Sequence, residues 1–405
     1  MPQPAATAEA AGAPAPLLIA TLAFACGAGA ANLYYAQPLA GLIGPEIGLS
    51  LSATGLVVTL TQIGYATGLF LLVPLGDLLE NRRLITTTLG AAVLALAAAA
   101  AADSAFTFFA ASLLIGLSSA GIQMVVPLAA HLTPPAMRGK IVGLVMSGLL
   151  LGILLARPIA SLIAAGFGWR AVFVASSVLM AAVTALLLKT LPRRRPGIHD
   201  NYVRLLRSLW PLFRDTPVLQ RRTLYQAALF ATFALFWTAA PLRLAQPPFN
   251  LTQIGIALFA LAGAGGAVAA PIAGRLADAG WSRPGTGLSI ALVGAAFALS
   301  RLGADGHGRV AVLTLAAVLL DFGVQSNQVF GQRAIYLLAG PMRSRLNGIY
   351  TGGFFGGGAI GSALAGPALA YGGWQAVSWF GIAFPTAALL VYATEFFPSR
   401  ANRAH

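Results

Sequence analysis

Twelve apolar stretches, each long enough to cross a bilayer as a helix, account for most of this chain. They run approximately over 17–38, 53–74, 84–102, 106–131, 140–165, 171–190, 222–243, 253–273, 286–302, 309–332, 346–369 and 375–396. A hydrocarbon core about 30 Å thick is crossed by about 20 residues of helix. Most connections are short and marked by Gly, Pro or Asn; the exception, 191–221, carries Arg193, Arg194, Arg195, Arg204, Arg207 and Arg214. Only 9% of the residues are charged against 58% hydrophobic, too few polar side chains to cover a water-facing surface. A soluble enzyme and a disordered chain are therefore excluded. A membrane β-barrel is excluded too, because its strands read as short alternating segments. The expected fold is an all-α polytopic membrane protein.

The net charge of +14 could suggest nucleic acid, but its distribution points to topology instead. With the N-terminus placed in the cytoplasm, nineteen of the 25 basic residues fall in cytoplasmic loops and tails. Only Arg170, Arg243, Arg301 and Arg309 fall outside, while Arg157 and Arg333 lie within or at the mouth of spans. Positive charge is retained inside, so both termini are expected in the cytoplasm. Residues 1–16 read as a disordered tail rather than a signal peptide, since no Lys or Arg precedes Arg82. Residues 398–405 read as a second tail. The single cysteine, Cys26, excludes an intrachain disulfide and a cysteine-built metal site.

The chain repeats itself. Met137-Arg138-Gly139-Lys140 is echoed by Met342-Arg343-Ser344-Arg345, 205 residues later. The same offset carries Gly143, Gly148 and Gly152 onto Gly348, Gly353 and Gly357, and Gly168-Trp169 onto Gly373-Trp374. Two six-span bundles, 17–190 and 222–397, are therefore expected, joined by the arginine-rich linker 191–221. Parallel repeats of this kind build many secondary transporters, with the substrate site between the halves near mid-membrane.

These features resemble the major facilitator superfamily over residues 17–397. The family's loop signature is similar to Gly274-Arg275-Leu276-Ala277-Asp278, and in a degraded copy to Gly76-Asp77-Leu78-Leu79-Glu80-Asn81-Arg82-Arg83. The resemblance implies that these loops pair charge between helices and help hold one access state. Within the family, Asn32-Leu33-Tyr34-Tyr35-Ala36-Gln37-Pro38, Asp321-Phe322-Gly323-Val324-Gln325 and Arg343-Ser344-Arg345-Leu346-Asn347-Gly348 resemble bacterial drug:proton antiporters and sugar-efflux permeases. In span five, Arg157-Pro158 stands where the antiporter signature carries Gly-Pro.

Ten of the eleven acids lie in tails, loops or span ends. Asp321 alone is deep, about twelve residues into span ten and so near the bilayer centre. A carboxylate there costs roughly 2.5–3.5 kcal/mol to insert and marks a functional site. Burial favours its protonated form, as a proton-carrying group requires. Asp321, Gln325, Gln328 and Gln332 recur at helical spacing as one polar stripe, which faces either a wet cavity or a hydrogen-bonded seam with another helix. Arg157 is the other deep charge; it either faces the cavity or is a structural arginine that snorkels outward or pairs across helices.

By the same resemblance, spans one, four, seven and ten line the path. Their candidates are Asn32, Tyr35 and Gln37; Ser119 and Gln123, four apart on one face; Gln226, Phe233 and Trp237; and the span-ten stripe. Asn347, Tyr350 and Phe354 read as gate packing. Gly352, Gly353, Gly356, Gly357 and Gly361 supply overlapping pairs for close helix approach. The dinucleotide-like Gly356-x-Gly358-x-x-Gly361 follows no strand and is a false match.

The four histidines (131, 199, 307 and 405) are far apart, and neither HExxH nor GxSxG occurs. An intramembrane enzyme lacks its parts. The expected function is proton-coupled efflux of a small amphipathic organic compound by alternating access, in a bacterial inner membrane, as a monomer without a cofactor. The alternatives are a proton symporter for uptake, a uniporter with Asp321 structural, and more distantly a receptor or sensor.

Overall fold

The computed structural model describes residues 15–193, 201–302, 307–338 and 343–396, without the side chains of Asp77, His307, Arg343 and Ser344. The expected tails, Arg194, Arg195, Met342, His199 and His405 fall outside the described residues, except for residues 15 and 16. All regular structure in the described residues is helical. The first half comprises α1 (Pro16–Ala31), α2 (Ala36–Glu46), α3 (Leu56–Leu71), α4 (Asn81–Ala100), α5 (Ala105–Ser119), α6 (Val125–His131), α7 (Pro135–Phe167) and α8 (Trp169–Thr190). A linker helix, α9 (Tyr202–Arg214), leads to α10 (Pro217–Leu244), α11 (Gln253–Ala260), α12 (Ala264–Asp278), α13 (Ser282–Leu299), α14 (His307–Tyr336) and α15 (Arg343–Ala393).

Twelve crossings emerge once the breaks are read. Helices α1 and α2 form one span bent by 42°, which carries the first crossing on to Glu46, beyond the expected end at residue 38. Short 3-10 turns at Ala120–Met124 and Leu261–Gly263 join α5 to α6 and α11 to α12. The 51 residues of α15 bend at Gly373, where φ is 58° and ψ is −159°, and so make the last two spans. Gly168, its counterpart in the first half, has φ of 78° between α7 and α8. Glycine adopts this region without the Cβ penalty that other residues meet. The 205-residue offset thus repeats a backbone device as well as letters.

Packing follows the same repeat. In the first half α1 crosses α7, and a methyl group on Gly148 or Gly152 would run into the backbone of Ala23 or Gly27. In the second half α10 crosses α15 with Thr223, Ala227 and Ala231 against Gly353, Gly357 and Gly361. Without hydrophobic drive between helices in lipid, such close backbone approach supplies the dispersion contact that holds them. Gly143 and Gly348 face open space in both halves. Of the other glycines in the expected stripe, Gly352 meets Phe70 of α3 and Gly356 meets nothing.

The halves meet closely at the end remote from the arginine-rich loops. There Gly55 lies on the Ser362 carbonyl, Gly366 on that of Ser52, and Gly41 on Leu242. The hydroxyls of Thr59 and Ser362 are 3.0 Å apart, and α11 packs on α7. At the basic end Arg333 pairs with Asp278, joining α12 to α14. Arg82 caps α8 by donating to the Leu188 and Leu191 carbonyls. Glu80 precedes α4 without capping it, the Arg83 carbonyl accepts from Thr87, Gly76 lies beneath Met124, and Gly274 faces open space.

Candidate functional site

A cavity of ≈ 230 Å³ lies between the halves. Its walls come from α1, α3, α7, α10, α12, α14, α15 and the 3-10 turn at Ala120–Met124. It runs from Arg157 and Asp321 to Gln332 and Asn347 at the basic end.

The whole span-ten stripe stands on its wall: Asp321, Gln325, Gln328 and Gln332. Asp321 is 6% exposed, and its Oδ1 accepts a 2.8 Å bond from the Trp237 indole N–H. Trp237 therefore sits behind the carboxylate and positions it. Trp237→Phe is expected to lower stability by roughly 1–3 kcal/mol, since it deletes one partner of a buried bond. Thermal unfolding in detergent measures this. In an Asp321→Leu background the same change should have a much smaller effect.

Arg157 also faces the cavity, opposite Asp321. A methyl group on Gly263 would lie 3.2 Å from Asp321 Oδ2 and 3.5 Å from Arg157 Nη1, so both charged ends flank one point of α12's approach. The guanidinium is held on one edge by Nε donating to Gln37 Oε1 at 2.7 Å. Its carbon stands 5.0 Å from the Tyr34 ring, 5.0 Å from Phe233 and 4.4 Å from Trp237. Ring faces attract a desolvated cation, which offsets part of the burial cost. Among the described residues its Nη2 has no hydrogen-bond partner.

Several expected wall residues instead support the wall from behind. Asn32 Oδ1 accepts from Ser176, to which Tyr35 also bonds. Gln37 is fully buried behind Arg157. Gln226 is clamped between the Val324 carbonyl and the Asn327 amide, sealing α10 to α14. Ser119 and Gln123 do not share a face as expected. The 3-10 turn between them advances about 120° per residue rather than 100°, which separates positions four apart. Ser119 is buried away, and Gln123 reaches the cavity and donates to the Tyr65 hydroxyl at 2.6 Å. Phe233 does line the cavity, as do Asn347 and Phe354 from the expected gate. Tyr350 is buried, its hydroxyl 3.4 Å from the Gln328 carbonyl.

The structure adds residues that the sequence did not single out. Tyr34, Tyr65, Phe230, Phe355 and Thr351 complete the wall, with Phe230 stacked on Phe233 at 5.1 Å and Tyr65 edge-on to Phe355 at 4.5 Å. Their signal lies in aromatic residues at mid-span, which in an apolar sequence read as packing.

Two bundles of one repeat around a central polar cavity form a transporter architecture, and the sequence match decides which. Residues 17–251 match the profile of the Major Facilitator Superfamily. The chain belongs to this superfamily. YgaY of Escherichia coli O157:H7, an uncharacterized transporter, is 41% identical over 382 residues, covering 94% of this chain and 96% of the relative. A chloramphenicol resistance protein of Streptomyces lividans is 30% identical over 314 residues, covering 75% of this chain and 77% of the relative. The solved structure of the nucleoside transporter NupG shares the fold, with a TM-score of 0.76 at 15% identity over 94% of this chain and 100% of that one. As a facilitator, this chain is a multi-pass membrane transporter.

Proposed function

We propose that this facilitator exports small amphipathic organic compounds in exchange for protons, by alternating access to the cavity between its halves. The observation that carries the reading is Asp321: the one deep carboxylate of span ten lines the cavity between the halves, while its Oδ1 accepts from Trp237 of α10. On this reading the positive loops stay in the cytoplasm of a bacterial cell, so the basic end of the cavity is approached from inside, across the inner membrane. In this state Asp321 gives its proton to the cytoplasm and a substrate enters. After the halves rock, the substrate leaves on the far side and Asp321 takes a proton there. The gating loops, with Arg333 on Asp278 and Arg82 on α8, brace each half as it moves.

The lining suggests the kind of substrate. Six aromatic rings (Tyr34, Tyr65, Phe230, Phe233, Phe354 and Phe355) suit an apolar or aromatic body, and the glutamines suit hydroxyl or amide groups. The free Arg157 Nη2–H suits an acceptor oxygen. The likeness to a chloramphenicol resistance protein supports outward transport of such a compound.

Proton movement in everted vesicles tests this. An acid-inside gradient is challenged with drugs, sugars and organic acids. Proton release by one compound class would establish exchange and identify that class. Binding by thermal shift without proton release for any compound would overturn the coupling.

A further inference from the structure

The linker helix α9 lies across the basic end of both halves. Tyr202 donates to the Leu71 carbonyl of the first half at 2.8 Å, and Arg345 of the second half reaches Ser208 at 3.4 Å. Leu205 is buried against the bundle. Another face is left open. Val203, Arg207, Trp210 and Arg214 recur at i, i+4, i+7 and i+11, so apolar and cationic groups alternate along one stripe. Val203 is 50% exposed and Trp210 68%, and both arginines are exposed. An apolar edge flanked by arginines is how a helix rests in a membrane interface.

Beside this helix an apolar groove of ≈ 570 Å³ opens between α3 and α15. Its walls include Ile63, Ala66 and Phe70 on one side and Gly356, Ala359 and Ile360 on the other. Phe70 and Gly353 also line a second hollow, shared with Trp210 and Phe213 of α9, so groove and linker helix are continuous. From Phe70 to Thr59 the groove is roughly 16 Å long at helical rise, about the 15 Å of hydrocarbon in one leaflet. At that depth only bilayer lipid has direct access. A cationic rim at the interface end selects a negative headgroup, although Asp215 follows the last arginine.

We propose that an anionic phospholipid occupies this site, with one acyl tail in the α3–α15 groove and its phosphate between Arg207 and Arg214. Because the groove's two walls belong to different halves, the tail bridges the surfaces that must part or slide during transport. Lipid that fits the groove better in one access state draws the equilibrium toward that state.

Native mass spectrometry of the full chain in detergent, titrated with phosphatidylglycerol or phosphatidylcholine, tests the site. Phosphatidylglycerol should bind the more tightly. The pair Arg207→Gln and Arg214→Gln should weaken it about 25-fold, at roughly fivefold per arginine. Gly356→Leu places a side chain where nothing lies within 4 Å of the Cβ position, so it should fill the groove and weaken both lipids alike. Ala363→Leu gives the same reading if that variant does not fold. Equal affinity for the two lipids overturns headgroup recognition. Unchanged phosphatidylglycerol binding with the groove filled overturns the tail site. A lipid-free dimer that the groove variants dissociate would make a second copy the occupant and overturn the proposal.

Discussion

Vesicles carrying Asp321→Asn are expected to lose proton-driven accumulation of substrate while still exchanging labelled for unlabelled substrate. Asparagine keeps the shape of the side chain and an oxygen for the Trp237 N–H, which donates at 2.8 Å in the native protein. It cannot ionise. The native return step already runs with Asp321 neutral, so the asparagine keeps alternation itself, and substrate crosses in exchange with no proton moving against it. Uphill transport stops, because no proton is delivered from one side to the other. At one proton per molecule, a pH step of two units sustains about a hundredfold concentration ratio; in the variant that ratio should fall to one. Full proton-coupled accumulation by Asp321→Asn would refute the role given to this residue.

Gly361→Leu is expected to prevent accumulation of folded protein, with Gly152→Leu acting the same way in the first half. Gly361 sits against the Ala231 carbonyl and Gly152 against Gly27, contacts in which the obstructing atoms are backbone. Overpacking a core that can yield costs roughly 1–3 kcal/mol; here a whole helix must move, so the effect lies at or beyond the top of that range. Yield and melting temperature in detergent measure it. The control is built into the repeat: Gly143→Ala and Gly348→Ala, at positions facing open space, should change neither by more than about 0.5 kcal/mol. If all four variants behaved alike, the crossings would not be the contacts that hold each half.

The architecture was legible because its signals are long and redundant. Apolar run length gives the spans and the 205-residue offset pairs them into two six-span bundles, and Gly168 and Gly373 show the repeat reaching down to single backbone angles. Asp321 and its glutamines were legible because α14 is unbroken, so helical spacing translates directly into a face. The same rule misplaced Ser119 and Gln123, where a 3-10 turn interrupts the span. Asn32, Tyr35 and Gln37, candidates from the resemblance alone, straddle the bend between α1 and α2. There the cavity is met by Tyr34 instead. A lone arginine such as Arg157 declares itself by cost, but its direction depends on three rings and an amide from other helices.

Among the described residues the ion pairs Arg170–Glu46, Arg283–Glu395 and Arg333–Asp278 each join residues of a single half. The surface where the halves press together is made of carbonyls, glycines and two facing hydroxyls. These pairs stiffen each half, and at the end remote from the basic loops neutral short-range contact forms the latch between them. Such a latch is insensitive to ionic screening, which reaches exposed charges and leaves close-packed backbone untouched. The carrier can open this latch without stranding a single ion of these pairs, so the salt outside has no hold on that contact.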